Sequence, residues 1–98
     1  MKNYVSKVFL NEHGYTEVPE SEYTDHQKDM KAYIDILSDA VVKAKCGWDE
    51  VRYKVMSYHG EYTEKFMVLC ADGEEVRWIP ITGNSKACNL DVLGENLW

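Results

Sequence analysis

The side chains that could do chemistry in this 98-residue sequence are three histidines, three cysteines and seventeen carboxylates. Nucleophilic catalysis requires a nucleophile beside a base, and a third group that orients the base. Cys88 and Ser85 qualify as nucleophiles only by residue type, because no catalytic motif flanks either of them. The run Gly83-Asn84-Ser85 lacks the glycine and lysine spacing of a phosphate-binding loop. The sequence therefore predicts a protein that is not an enzyme.

The histidines and cysteines do not have the spacing of a metal site. Zinc ligands usually come in pairs two to four residues apart, whereas these residues are scattered at His13, His26, His59, Cys46, Cys70 and Cys88. We predict no metal and no cofactor. The odd number of cysteines and the absence of a secretory leader predict free thiols in a cytoplasmic protein. No apolar run approaches the ~18 residues that a membrane helix needs, so we expect no membrane contact.

Charge is the feature that points to a partner. The net charge of -6 argues against a nucleic-acid-binding protein and favours a basic protein partner. The candidate partner-binding carboxylates form two groups. One group is spaced in fours along a predicted helix, and the other lies in an acidic connector around Pro19: Asp25, Asp29, Asp35 and Asp39, then Glu17, Glu20 and Glu22. The alternative is that both groups are ordinary solvated surface.

One long helix is predicted to carry the aspartates. Thr24-Asp25-His26-Gln27 matches the capping box, in which a hydroxyl and an amide side chain satisfy the first free backbone N–H groups. Apolar residues then recur every three or four positions, at Met30, Tyr33, Ile34, Leu37, Val41 and Ala44. This spacing predicts a helix from about Asp25 to Lys45, with Gly47 placed to end it.

Three antiparallel strands are predicted between Gly47 and Thr82, with turns at His59-Gly60 and Asp72-Gly73. Strict alternation sorts their side chains onto two faces. The face predicted to pack on the helix is mainly apolar: Val51, Tyr53, Val55, Phe66, Val68, Cys70, Ile79 and Ile81. The other face is mixed: Arg52, Lys54, Met56, Tyr58, Lys65, Met67, Leu69 and Trp78. Tyr58 and Trp78 are the candidate aromatic anchors for a partner.

The two ends of the chain are less strongly patterned. Residues 1–10 fit either an edge strand or a short first helix. Asn84 or Ser85 could cap a short helix that Gly94 then ends, and Trp98 could cover part of the mixed face. The fold class is therefore α+β in a single domain, 1–98. One long helix packs on a three- or four-stranded antiparallel meander, with a short C-terminal helix or loop segment.

Part of this pattern resembles the YezG-like immunity proteins. A helix runs into Gly47-Trp48-Asp49-Glu50-Val51, and a tyrosine-rich strand, a turn at Gly60-Glu61 and a second strand through Phe66 follow. In that family a helix leads to a tryptophan-containing turn and then to aromatic antiparallel strands. The similarity covers about residues 29–66. Cys46-Gly47 stands where the family often has a proline. The resemblance implies a small acidic protein that neutralises a bacterial toxin, often a nuclease, by binding it.

Three functional hypotheses follow from the sequence. The first is a non-catalytic inhibitor of a basic protein, most readily an immunity protein that neutralises a toxin or nuclease. The second is a phage-encoded inhibitor of a host defence nuclease, similar to an anti-CRISPR protein. The third is a small structural subunit that forms a homodimer or larger oligomer through its sheet. None of them involves direct contact with nucleic acid.

Overall fold

A computed structural model describes residues 4–81 and 86–96, and within the last helix the side chains of 90–95. The elements in chain order are α1 (Lys7–Glu12), β1 (Tyr15–Glu17), a 3₁₀ turn (Glu20–Glu22), α2 (Asp25–Ala44), β2 (Glu50–Tyr58), β3 (Tyr62–Ala71), β4 (Glu74–Ile81) and α3 (Lys86–Asn96). The four strands form one antiparallel sheet in the order β1-β2-β3-β4. The predicted α+β class, with one long helix, a four-stranded meander and a short C-terminal helix, is confirmed. The predicted caps of α3 at Asn84 and Ser85, and Trp98, lie outside the described residues.

Helix α2 begins where the sequence predicts. The Thr24 hydroxyl accepts a hydrogen bond from the Gln27 N–H at 3.2 Å, and the Gln27 side chain accepts one from the Thr24 N–H at 2.9 Å. Such a cap stabilises a helix by about 1 kcal/mol. The helix ends at Ala44, and Lys45 adopts a left-handed conformation with φ 52°. The chain therefore reverses at Lys45, two residues before the glycine that was expected to end the helix.

The apolar stripe of α2 forms the first core with one face of the sheet. The buried residues of this core are Tyr23, Met30, Ile34, Val41, Val51, Tyr53, Val55, Met67, Leu69, Ile79, Ile81 and Leu93. Leu93 belongs to α3, so the C-terminal helix covers the same face as α2. Ser38 lies in the stripe, and its hydroxyl accepts a hydrogen bond from the Val51 N–H at 2.9 Å. The buried polar group is therefore satisfied by the edge of β2.

The face assignment is confirmed for β2 and wrong for β3. Met67 and Leu69 face α2, and Phe66, Val68 and Cys70 face the opposite side. The loop between β2 and β3 is the cause. Tyr58 pairs with Tyr62, so three residues connect the strands, and a shift of one residue moves every side chain of a strand to the other face.

A second shift of one residue, in the pairing of β3 with β4, places the side chains of β4 on the faces that the sequence predicted. Leu69 pairs with Arg77, whereas Cys70 pairs with Glu75, so Val76 is an extra residue in the ladder. An extra residue of this kind is a β-bulge, and it reverses the alternation beyond it. Ile79 consequently faces α2 as predicted, although the two faces of β3, which lies between β4 and β2, are exchanged relative to the prediction.

A second core lies on the opposite face of the sheet, beneath α1. Its buried residues are Leu10, Met56, Phe66, Val68, Cys70 and Trp78. The Trp78 side chain is 0% exposed, and its backbone exchanges two hydrogen bonds with Val5, at 2.8 and 2.9 Å. The prediction that Trp78 is an exposed anchor is therefore wrong. The N-terminal segment covers it, where the sequence had suggested the C-terminal residues.

The acidic connector contains an additional strand. Residues 15–17 form β1 and pair with residues 56–58 of β2. The Val18 N–H then donates to the Val55 carbonyl at 2.9 Å. Pro19 follows, and the chain leaves the sheet for the 3₁₀ turn. The predicted acidic connector is therefore a strand over Tyr15–Glu17, and the early end of β1 leaves half of β2 without a strand beside it.

We expect Leu10→Ala to lower the free energy of unfolding by about 2–5 kcal/mol, because Leu10 is the side chain by which α1 fills the second core. Val8→Ala is the matched control on the same helix, since Val8 is 64% exposed, and it should change stability by less than about 0.5 kcal/mol. Urea melts measure both. Equal effects of the two substitutions would show that α1 does not cover the sheet.

Candidate functional site

The uncovered edge of β2 is the first feature of the candidate site. The Val51 N–H donates to Ser38 and the Val55 carbonyl accepts from Val18, so these residues direct their backbone groups away from β3. Tyr53 lies midway between them in a regular ladder, and backbone direction alternates with a period of two. The Tyr53 N–H and C=O therefore point the same way. Neither group has a hydrogen-bond partner among residues 4–81 and 86–96.

A groove of about 530 Å³ lies along this edge. One wall is the connector after β1, another is the side of α2, and the floor is the first half of β2. The lining residues are Glu17, Val18, Pro19, Glu20, Tyr23, Lys31, Asp35, Glu50, Arg52, Tyr53 and Lys54. The volume is within the range of ~300–1,000 Å³ that is usual for ligand pockets.

Four carboxylates and three cations line the groove, and they are paired in the free protein. Lys54 Nζ lies 2.7 Å from a Glu17 carboxylate oxygen. Lys31 Nζ bridges two acids, with Glu20 at 3.0 Å and Asp35 at 2.9 Å. Ion pairs of this partly exposed kind contribute ~0–1 kcal/mol. A partner's cation can therefore join or replace the resident lysines at small cost.

The pKa shifts in the groove agree with these pairs. The hydrogen bond from Arg52 Nε, at 2.9 Å, lowers the pKa of the Glu50 carboxyl below its ordinary value. Burial acts to lower the pKa of Lys54, but the hydrogen bond to Glu17 and the neighbouring acids outweigh it and raise that pKa. Both groups are thus held in their charged forms near neutral pH.

Tyr53 concentrates unpaired polar groups at one buried residue. The whole residue, backbone included, is 3% exposed, and its hydroxyl is buried with no hydrogen-bond partner in the described part of the chain. Burial, with a smaller effect from Tyr23, raises the pKa of Tyr53 to about 12. The two rings meet edge to face, with centroids 6.0 Å apart. Buried polar groups are nearly always paired in native proteins, so three unpaired groups on one residue mark this position as exceptional.

The structure brings three of the predicted site residues together. Glu17, Glu20 and Asp35 line the groove. The other predicted carboxylates are exposed elsewhere and form no ion pair with the described residues: Glu22, Asp25, Asp29 and Asp39. At 3.6 residues per turn, the centre of the pair Asp25 and Asp29 lies about 80° around α2 from the centre of the pair Asp35 and Asp39, so all four fall within an arc of about 120°. Of these four aspartates, only Asp35 lines the groove.

Net charge is nevertheless concentrated in one segment of the chain. Residues 17–39 contain seven carboxylates and two lysines, so this segment carries -5 of the total charge of -6. The segment comprises the end of β1, the connector and most of α2. The remainder of the chain is close to neutral, which makes the molecule electrostatically one-sided.

Tyr58 belongs to a separate aromatic cluster. It stacks between Tyr15 and Tyr62 across three strands, with ring centroids 4.9 and 5.2 Å away. This cluster lies on the opposite face of the sheet from Tyr53, and Tyr62 is 49% exposed. Burial, followed by the nearby Glu64, raises the pKa of Tyr15 to about 12. Tyr58 therefore packs among aromatic rings and does not line the charged groove.

The groove includes residues that the sequence analysis did not select, namely Lys31, Glu50, Arg52, Tyr53 and Lys54. Tyr53 had been placed among the helix-facing core residues, which is correct for its side chain. Its backbone was overlooked because β1 had not been recognised. Pro19 was the available signal, since a proline ends the pairing of a strand.

The described residues contain no group of three or more histidine, cysteine or acidic side chains that could hold a metal ion. Cys46 and Cys70 are free thiols, as predicted, and the side chain of Cys88 lies outside the described ones. None of the helices in the described ranges combines the length and apolar character needed to cross a membrane.

In comparisons with known proteins, no protein-family model, no curated protein and no solved structure matches this chain. The chain's own surface has two distinctive features, the one-sided charge and the unpaired backbone of Tyr53.

We expect Tyr53→Phe to leave stability unchanged at pH 7 or to raise it by up to about 2 kcal/mol, because it removes a buried hydroxyl that has no partner. The unfolding free energy of the natural protein should fall as pH rises from about 10 to 12, since tyrosine ionises near 10 when unfolded and only near 12 at position 53.

Tyr53→Phe should make that fall shallower, and Tyr4→Phe, at a residue 43% exposed, should not. Denaturant melts between pH 7 and 12 measure both variants. We expect the unfolding free energy of Tyr53→Phe at pH 7 to be unchanged or higher. A decrease of more than about 1 kcal/mol would show instead that the hydroxyl is hydrogen-bonded in the natural protein.

Proposed function

We propose that this chain is a non-catalytic binding protein that inhibits a basic protein partner, most readily an immunity protein acting on a toxin or nuclease. The observation that carries the proposal is the concentration of a net charge of -5 within residues 17–39. A one-sided charge accelerates encounter with an oppositely charged partner and orients it as it approaches.

Nucleases are suitable partners because their substrate channels are basic. Such a channel must attract phosphates, so an acidic surface fits it by charge and blocks access to nucleic acid. The exposed carboxylates Glu22, Asp25, Asp29 and Asp39 have no ion pairs with the described residues. They can therefore meet a basic surface without first losing an internal partner.

The resemblance to YezG-like proteins supports the immunity hypothesis over residues 29–66. A phage-encoded inhibitor of a host defence nuclease would use the same surface chemistry. The two differ in gene neighbourhood, because an immunity gene lies beside a toxin gene and an inhibitor of host defence lies in a phage operon.

We expect Glu22→Lys combined with Asp29→Lys to slow association with the partner at least tenfold at 50 mM salt, because both side chains are exposed in the charged segment. Raising the salt to ~300 mM should reduce this difference. The partner is the nuclease or toxin retained from source-cell extract by the immobilised chain, and surface plasmon resonance measures the rate. Addition of one equivalent of the chain should abolish that partner's activity.

Glu61→Lys combined with Glu74→Lys is the matched control. It makes the same change in net charge at two exposed residues outside the segment, and it should slow association much less. Equal slowing by the two double variants would show that association depends on the net charge alone and not on the position of the carboxylates. A partner that keeps its full activity in the complex would contradict inhibition.

A further inference from the structure

Only part of the outer edge of β2, the edge away from β3, has another segment of the chain paired with it. β1 pairs with residues 56–58, and Val18 extends the pairing to Val55. After Pro19 the chain turns away, and Ser38 reaches the edge again at Val51. Four residue steps separate Val51 from Val55, which is about 13 Å of strand. This vacated stretch is the floor of the groove, and Tyr53 lies at its centre.

We propose that the groove binds an extended segment of the basic partner, which adds to the sheet as an antiparallel strand and pairs with the backbone of Tyr53. The inference rests on the proposed function and specifies how the partner is anchored. In the hydrogen-bonded pairs of an antiparallel ladder, each residue forms two hydrogen bonds with the residue opposite, one through its N–H and one through its C=O. Tyr53 offers both groups on one side with no partner in the described structure, so it matches one residue of an added strand.

The charges of the groove define the side chains of that segment. Successive side chains of an added strand project to opposite faces of the sheet. On the helix face they would meet Glu20 and Asp35, which hold Lys31. On the other face they would meet Glu17 and Glu50, which hold Lys54 and Arg52. The groove therefore selects a strand with lysine or arginine on both faces.

Charge also decides between a partner segment and a second copy of this chain. A second copy that presented the same region would bring two segments of net charge -5 together. Like charges at an interface oppose association. A basic segment instead neutralises the region and supplies hydrogen-bond partners for the backbone N–H and C=O of Tyr53.

A synthetic peptide tests the mode of binding without the natural partner. The probe is an acetylated and amidated hexapeptide of alternating lysine and arginine, which places cations on both faces of an added strand, titrated into ¹⁵N-labelled protein. Two further peptides carry N-methyl groups on the backbone nitrogens of the three lysines or on those of the three arginines. Alternate N–H groups of a strand point to opposite sides, so only one of the two methylated sets faces β2.

Strand addition predicts that the Tyr53 amide signal shifts on titration, and that one methylated peptide binds at least tenfold more weakly while the other retains its affinity. Equal affinities of all three peptides would overturn the proposal, because binding would then need charge alone. A Tyr53 signal that does not move at millimolar peptide would overturn it as well.

Two variants on one helix separate the groove from the general acidic surface. Asp35 lines the groove, whereas Asp39 lies one turn further along α2 and does not. Asp35→Lys should weaken binding of the unmethylated peptide at least tenfold, and Asp39→Lys should change it less than threefold. Melting curves of both variants establish that they fold.

The natural partner distinguishes failure of this inference from failure of the proposed function. If Asp35→Lys leaves partner affinity unchanged while the Glu22 and Asp29 reversals slow association, the strand mode is wrong and the inhibitor function stands. If neither change affects the partner, the proposed function fails together with the inference.

Discussion

The structure depends on covering both faces of one small sheet. Buried apolar side chains project from both faces of the sheet, and a chain of 98 residues has little material to bury two faces. Helix α2 covers one face with help from Leu93 of α3, and the six-residue helix α1 covers the other through Leu10. The positions of all three helices follow from this requirement, and only the sheet edges remain to be protected.

The two edges are treated differently. On β4 the backbone of Trp78 pairs with Val5, and Pro80, two residues later on the same side, has no N–H to offer. These are the usual devices that prevent one sheet from pairing with another chain. On β2, Ser38 and Val18 bond to the backbone at Val51 and Val55, whereas the backbone N–H and C=O of Tyr53 have no hydrogen-bond partner in the described residues. An opening flanked by carboxylates is the physical basis of the proposed docking of a basic strand.

The sequence predicted the elements that have strong local signals. The capping box at Thr24 and the apolar stripe after it located α2, and Asp72-Gly73 located the β3–β4 turn. It did not predict the faces of β3, because a three-residue loop and a bulge each shift alternation by one, and neither has a distinctive residue pattern. β1 was missed because three residues before a proline are too few to show a period.

The candidate site was only partly predictable for the same reason. Glu17, Glu20 and Asp35 were selected as acids, but the groove that unites them exists because β1 ends early beside β2. The distribution of charge, in contrast, is readable from sequence, since residues 17–39 hold -5 of the net charge of -6. Backbone groups leave no trace in composition, so the opening at Tyr53 required the hydrogen-bond register.

Amide hydrogen exchange of the free protein tests the open edge most directly. The N–H groups of Arg52 and Lys54 point towards β3, the Val51 N–H is held by Ser38, and the Tyr53 N–H has no partner in the described residues. The account predicts that Tyr53 exchanges at least a hundredfold faster than these three neighbours, as a locally open group should. A Tyr53 amide as strongly protected as Arg52 and Lys54 would show that the edge is closed and would contradict the account.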